Sequence, residues 1–301
     1  MAHPHGGTTA PKKSKQPVRF VRQVRGARAE RLTRRLISAV RRMRRAFLDR
    51  LRVHRIIEAQ NADNAPQWLQ DALAQLTPEE VANILWLEMH GDLEEGIEDA
   101  KQVLSISGHF DLTPERALRY LADHVMDFAQ DMVVNERDDL RAFVTDGLEH
   151  GGGARKLSRK LRDHFAEGIH YIGKDGRTVE RTVGIEAWAD TVARTELSRA
   201  YNQGARSLYE EAGVKERVWV DAGDAHECPD CEAADGEVAK IGSEFPSVDV
   251  VDPPAHPRCF CVCIASPEAI ARYNSPENAA RRAEILAQNR AWSKAHGGRM
   301  G

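Results

Sequence analysis

The 301-residue chain has no cysteine outside residues 228–263, and only five inside that window. So small and clustered an odd set argues against a disulfide framework. It fits a reducing compartment and a bound metal instead. No run of about 18 apolar residues appears, so no membrane-spanning helix is expected. The opening stretch MAHPHGGTTAPKKSKQP lacks an apolar segment, and no secretory signal is expected from it. Common catalytic signatures are missing as well: there is no P-loop, G-x-G-x-x-G, G-x-S-x-G or H-E-x-x-H. The zinc-deaminase pattern H-x-E…P-C-x-x-C is absent, because His226 and Glu227 are adjacent and the next histidine lies downstream of the C-x2-C.

What is present is a polar chain with an uneven charge. Hydrophobic residues make up 42% and charged residues 30%, enough for one large or two ordinary domains. The net charge is only −3, yet residues 11–55 hold 14 Arg and 3 Lys against Glu30 and Asp49. That arm carries +15, which leaves −18 on residues 56–301.

Within the arm, Val21, Val24, Leu32, Leu36, Val40, Met43, Phe47 and Leu51 recur every three or four residues. This predicts an amphipathic helix with arginine around the rest of its surface. Arg34, Arg35, Arg41, Arg42, Arg44 and Arg45 are the candidate contacts to nucleic-acid phosphate or to an acidic protein surface. The alternative is a solvated basic face on a packed helix, paired with the acidic body. No base-reading motif is present, so sequence-specific DNA recognition is not expected. A membrane-surface role is disfavoured by the narrow, aromatic-poor stripe.

Residues 65–150 read as helical. Thr77-Pro78 and Thr113-Pro114 are expected helix starts, and His90, His109 and His124 are too scattered to be ligands. Gly151 to Gly153 suggest a hinge before a basic helix, and Lys174-Asp175-Gly176 a turn between short strands. One helix is expected from Ile185 to Gly213, with Asp190–Arg194 and Glu196–Arg199 spaced as helix ion pairs. A strand carrying Trp219 follows. The expected fold class is α+β: a mainly helical N-terminal half with a long basic helix, and a small mixed α/β C-terminal module stapled by a zinc-type site. The expected divisions are a basic tail 1–16, a helical arm and domain 17–150, the module 151–266 and a helical tail 267–301. The arm is expected to be removable without unfolding the module.

The cysteines form two elements. Cys228-Pro229-Asp230-Cys231 is a C-x2-C, and His256-Pro257-Arg258-Cys259 is an H-x2-C. Each turn can bring two ligands to one ion. The leading set is Cys228, Cys231, His256 and Cys259, with Cys261 competing for the fourth place. In an extended strand Cys259 and Cys263 lie roughly 13 Å apart, so Cys263 reads as a packed spare. Three or four thiolates favour a closed structural zinc site over a catalytic one. Asp235-Gly236 reads as turn chemistry.

The stretches ARTELSRAYNQGA, VWVDAGDAHECPDCEAADG and DPPAHPRCFC together resemble the phage head morphogenesis family, the Mu F-like minor head proteins. Arg194, Thr195, Glu196, Asn202, Trp219, Asp224, Cys228, Cys231, Asp235, Gly236, Pro253, Pro254, His256, Pro257, Cys259 and Cys261 match its pattern in order. The departures are Phe260, which suggests a more apolar neighbour, and the extra Cys263. The resemblance spans roughly residues 151–266. It implies a minor capsid protein of a tailed phage, bound to the portal protein and to major capsid or scaffolding protein, assisting procapsid assembly and DNA packaging or ejection. It further implies a virion location inside the capsid near the portal vertex, host cytoplasm during assembly, contact with packaged DNA without sequence specificity, and no enzymatic activity. Two other readings stand beside it. One is an ADP-ribosyltransferase-like enzyme using Arg194 and Glu196, which requires the two to converge on one pocket. The other is a zinc-containing DNA-binding protein. In the tail, Ser266 and Ser275 each begin a Ser-Pro-Glu helix start.

Overall fold

A computed structural model describes residues 16–53, 65–105, 115–149, 154–172, 179–221 and 228–280, and residues 283, 284 and 287 beyond them. In chain order the elements are α1 (Gln16–Val53), α2 (Ala65–Ala74), α3 (Glu79–Val103), α4 (Glu115–Glu149), α5 (Ala154–Glu167), β1 (Ile169–Ile172), β2 (Val179–Val183), α6 (Ile185–Glu211), β3 (Glu216–Val220), α7 (Pro229–Ala234), β4 (Val238–Lys240), β5 (Val262–Ala265) and α8 (Pro267–Tyr273). The chain is thus mostly helical, with its small antiparallel sheets in the C-terminal part. The expected hinge at Gly151 to Gly153, the Thr113-Pro114 start, the Lys174-Asp175-Gly176 turn, His109, Asp224 and His226 lie outside the described residues.

The apolar stripe of α1 is a core element. Leu32, Leu36, Val40, Met43 and Phe47 are buried in the same cluster as Leu85, Met89 and Leu93 of α3 and Ala193, Leu197 and Leu208 of α6. That cluster runs on through Ala265, Ala269 and Tyr273. One continuous core therefore crosses the boundary expected between residues 150 and 151, and the arm is not an appendage that can be cut away. Deleting it would open the core beneath α6.

Helices α3 and α6 cross at two glycines. An added Cβ on Gly96 would overlap the Tyr201 carbonyl, and one on Gly204 would overlap the Leu93 carbonyl. Only glycine lets two helix backbones approach this closely.

The arginines around α1 meet the acidic body. Arg28 pairs with Asp92 and Glu95, Arg31 and Arg35 with Glu88, Arg42 with Glu80, and Arg41 with Glu186. Arg34 pairs with Glu30 of its own helix at 3.8 Å. Arg44 is a correction to the expected contact set. Its side chain is only 4% exposed and forms a two-pronged pair with Glu136, at 2.9 and 2.8 Å. It also donates to the Phe165 carbonyl and lies over the Phe165 ring. Its place on α1 between Val40 and Phe47 turns it inward, so it is unavailable to an external partner.

β1 and β2 form an antiparallel hairpin, and β4-β3-β5 an antiparallel sheet in that order. Period-two alternation sorts the faces of the larger sheet. Val218, Val220 and Val262 pack with Tyr201 of α6. Trp219 and its register partner Cys263 face the other way, into a small cluster with Phe245, Ala234, Ala239, Cys231, Cys259 and Cys261. Helix α6 ends as expected: Ala212 caps it and Gly213 has φ 72°. Helix α3 begins one residue later than expected, with Pro78 in the cap position and no side-chain cap bond. In the tail, Ser266 caps α8 by accepting the Ala269 N–H at 3.1 Å. Ser275 precedes a 3-10 turn, Pro276–Asn278, and Ala279 and Ala280 directly after it are helical.

Candidate metal centre

The C-x2-C knuckle is set by local chemistry. Cys228 is the N-cap of α7, Pro229 opens the helix, and the Cys231 N–H donates to the Cys228 sulfur at 3.3 Å. That bond turns both sulfurs to the same side. Asp235 ends α7, and its Oδ1 accepts the Asp221 N–H at 3.2 Å. Gly236, at φ 87°, returns the chain so that its N–H reaches the Trp219 carbonyl. Asp235 is thus a turn former that fastens the knuckle to β3.

His256 and the later cysteines come to this knuckle from across the module. The Nε2 of His256 lies 3.1 Å from Cys228 Sγ and 3.2 Å from Cys231 Sγ. Its Nδ1 donates to the Pro257 carbonyl at 2.9 Å, which leaves the Nε2 lone pair facing the sulfurs. Cys231 Sγ is 3.8 Å from Cys259 Sγ. Two groups have donors lying within 4.8 Å of one another, Cys228–Cys231–His256 and Cys231–Cys259–Cys261, and they share Cys231. Tetrahedral zinc with Zn–S near 2.3 Å places sulfurs about 3.8 Å apart, so the donor set and its spacing fit such an ion. Cys259 and Cys261 both precede β5 instead of lying within a strand. Both turn toward Cys231. A hydrogen bond from Cys261 draws the Cys259 thiol down to about 5, while the same contact and burial push Cys261 up. Cys263 sits in β5 opposite Trp219, buried, and burial pushes its thiol up.

Beside the sulfurs runs the Arg194–Asn202 face of α6. Arg194 pairs with Asp190 at 2.8 Å and lies over the Phe260 ring at 5.4 Å. A cation is thus one neighbour of Phe260. Thr195 Oγ1 accepts the Arg258 N–H at 3.0 Å. Glu196 points away, is buried, and meets His124 of α4 at 2.5 Å and Arg199 at 3.3 Å. Asn202 donates to the Cys261 carbonyl at 3.1 Å and accepts the Cys263 N–H at 3.0 Å. Arg194 and Glu196 thus serve different partners and do not converge on a pocket.

Residues 138–264 match the family model of phage Mu protein F like proteins. Over this segment the chain is similar to that family. The match supports a phage head morphogenesis protein family, and it begins inside α4, upstream of the boundary expected at 151. No curated protein and no solved structure matches the chain. The described sulfurs and His256 all lie inside the Mu F-like segment, as do Arg194, Glu196, Asn202 and Asp235.

Several polar residues in and beside the Mu F-like segment were missed from sequence. His124, just upstream of it, is the partner of Glu196, and its position three residues after buried Leu121 was the available signal. Arg217 is fully buried, pairs with Asp252 at 3.2 Å and donates to the carbonyls of Lys240, Ser243 and Val251. Strand alternation places it on the Trp219 face. Asp139, His164 and His170 form a third buried group. His164 meets Asp139 at 2.8 Å, and His170 is occupied by the His164 carbonyl and Thr182. The two imidazole rings stack 3.7 Å apart at 12°. Ligands bind in the ring plane, and near-parallel stacked rings do not share an in-plane point. This group is a hydrogen-bonded clasp between α4, α5 and the β1–β2 hairpin.

Proposed function

We propose that the protein is a minor head protein of a tailed phage. It binds the portal, contacts major capsid or scaffolding protein, and assists procapsid assembly and DNA packaging or ejection. It resides in the capsid interior near the portal vertex and in the host cytoplasm during assembly. The observation that carries this reading is the Mu F-like match over residues 138–264, inside which the separated C-x2-C and H-x2-C elements meet. The role is architectural. A zinc ion held by Cys228, Cys231, His256 and Cys259 would supply a rigid four-point tie between α7 and the loop before β5, with Cys261 donating its S–H to Cys259. The divergence of Arg194 and Glu196 weighs against the transferase reading, and among the described residues no groove-reading element supports a zinc-containing DNA regulator.

For portal or DNA contact the outward arginines are Arg34, Arg35, Arg41, Arg42 and Arg45, which act without sequence specificity. Arg34, 69% exposed and paired only within α1, is the freest of those whose partners are described. The test is a pull-down of the tagged full chain from infected cells. Recovery of portal protein, weakened by Arg34→Glu with Arg45→Glu, is expected. Recovery of no head component would overturn the reading.

A further inference from the structure

We propose that one face of α6 forms the outer shell of the metal centre, with Asp190, Thr195 and Asn202 as positioning residues that hold the second ligand loop in its binding shape. This rests on the metal reading above and extends it to residues that touch no ion.

Three independent contacts carry it. Arg258 lies between His256 and Cys259 and has φ 67°, a left-handed conformation that a long side chain rarely adopts. The turn it makes lets the Cys259 N–H return to the His256 carbonyl at 3.1 Å, which brings both ligand residues round one bend. Something must hold Arg258 there. Thr195 Oγ1 takes its N–H at 3.0 Å while donating to the Thr191 carbonyl at 2.7 Å. Asp190 takes its guanidinium at 2.8 Å. Further along, Asn202 grips the chain on both sides of Val262. Its amide accepts from the Cys263 N–H and donates to the Cys261 carbonyl, as a residue of a neighbouring strand would. Loop segments on either side of Cys259 and Cys261 are thereby fixed to α6.

Helix α6 takes its position from the large aliphatic core, not from the sulfurs. The loop is therefore shaped on a surface that exists before the ion arrives. Loss of an outer-shell partner typically weakens metal affinity about 10–100-fold, and the same range is expected in the rate at which this centre gives up its ion.

The experiment loads the full chain with zinc, confirms its content by elemental analysis, and follows release to an excess of chromophoric chelator. Asn202→Ala and Thr195→Val are expected to release zinc about 10–100-fold faster than the unaltered chain. Asp190→Asn should fall below them, and Thr195→Ser should restore the original rate. Thr195→Val removes a half-buried hydroxyl and should keep both the helical circular dichroism and the melting point of the chelator-treated protein. A variant that merely loosened the fold would shift that melting point. Zinc release at the original rate from both Thr195→Val and Asn202→Ala would overturn the outer shell while leaving the metal reading intact. An unaltered chain that takes up no zinc would overturn both.

Discussion

The large core draws on aliphatic residues of α1, α3, α4 and α6, whereas the small core beneath β3 and β5 has Trp219, Phe245, two alanines and four cysteines. The first buries enough apolar surface to stand by itself. The second has little beyond its two aromatics, and four of its eight members are thiols, three of them in the donor groups. Two regions of one chain thus reach order by different routes. The helical body relies on area and close backbone contact, and the C-terminal loops bring together a set of donors that could share an ion. Between them stands α6, which belongs to the first and shapes the second.

The sharpest way to break this contrast is to load the chain with zinc and then remove it. Structural zinc supplies about 10–16 kcal/mol in small zinc peptides at neutral pH, and chelation here should release residues 228–263 while the helical circular dichroism persists. Amide exchange resolved by region checks it, and a uniform collapse of both regions would erase the distinction. Next comes the buried ion pair. Arg44→Ala leaves Glu136 charged without its partner and should cost about 3–5 kcal/mol in denaturant unfolding, with zinc content unchanged. Gly96→Ala or Gly204→Ala forces α3 and α6 apart and should cost about 1–3 kcal/mol, again without loss of zinc. Smallest is Arg41→Ala, which breaks the exposed pair with Glu186 and should change stability by less than about 1 kcal/mol. A large effect there would mean that surface pairing, not packing, seats α1.

The cysteine elements and the run of α6 were legible because each is a local pattern: two ligands per short turn, or apolar residues at helical spacing closed by Gly213. The arginines were legible only as composition. Arg44 and Glu136 lie 92 residues apart, and nothing in either neighbourhood names the other. An arginine in a helix reads as outward until its partner is known, which is why a basic arm resolved into a core helix ringed by ion pairs. The Arg194–Glu196 motif was legible as a pattern but not as chemistry. Their two-residue spacing sends one side chain to the loop before β5 and the other to α4, so one motif serves two seams. Asn202 was quoted from that motif, yet its task depends on a strand 59 to 61 residues downstream.

That task bears on crowding. Where chains meet at high local concentration, bare strand margins invite chain-to-chain zippering. At Cys261 and Cys263 the margin is already filled by an amide from the same molecule. A neighbour arriving at that point finds no open backbone partner to bind. Contact with other subunits there has to be made by side chains, which can be selected for one mate and against another.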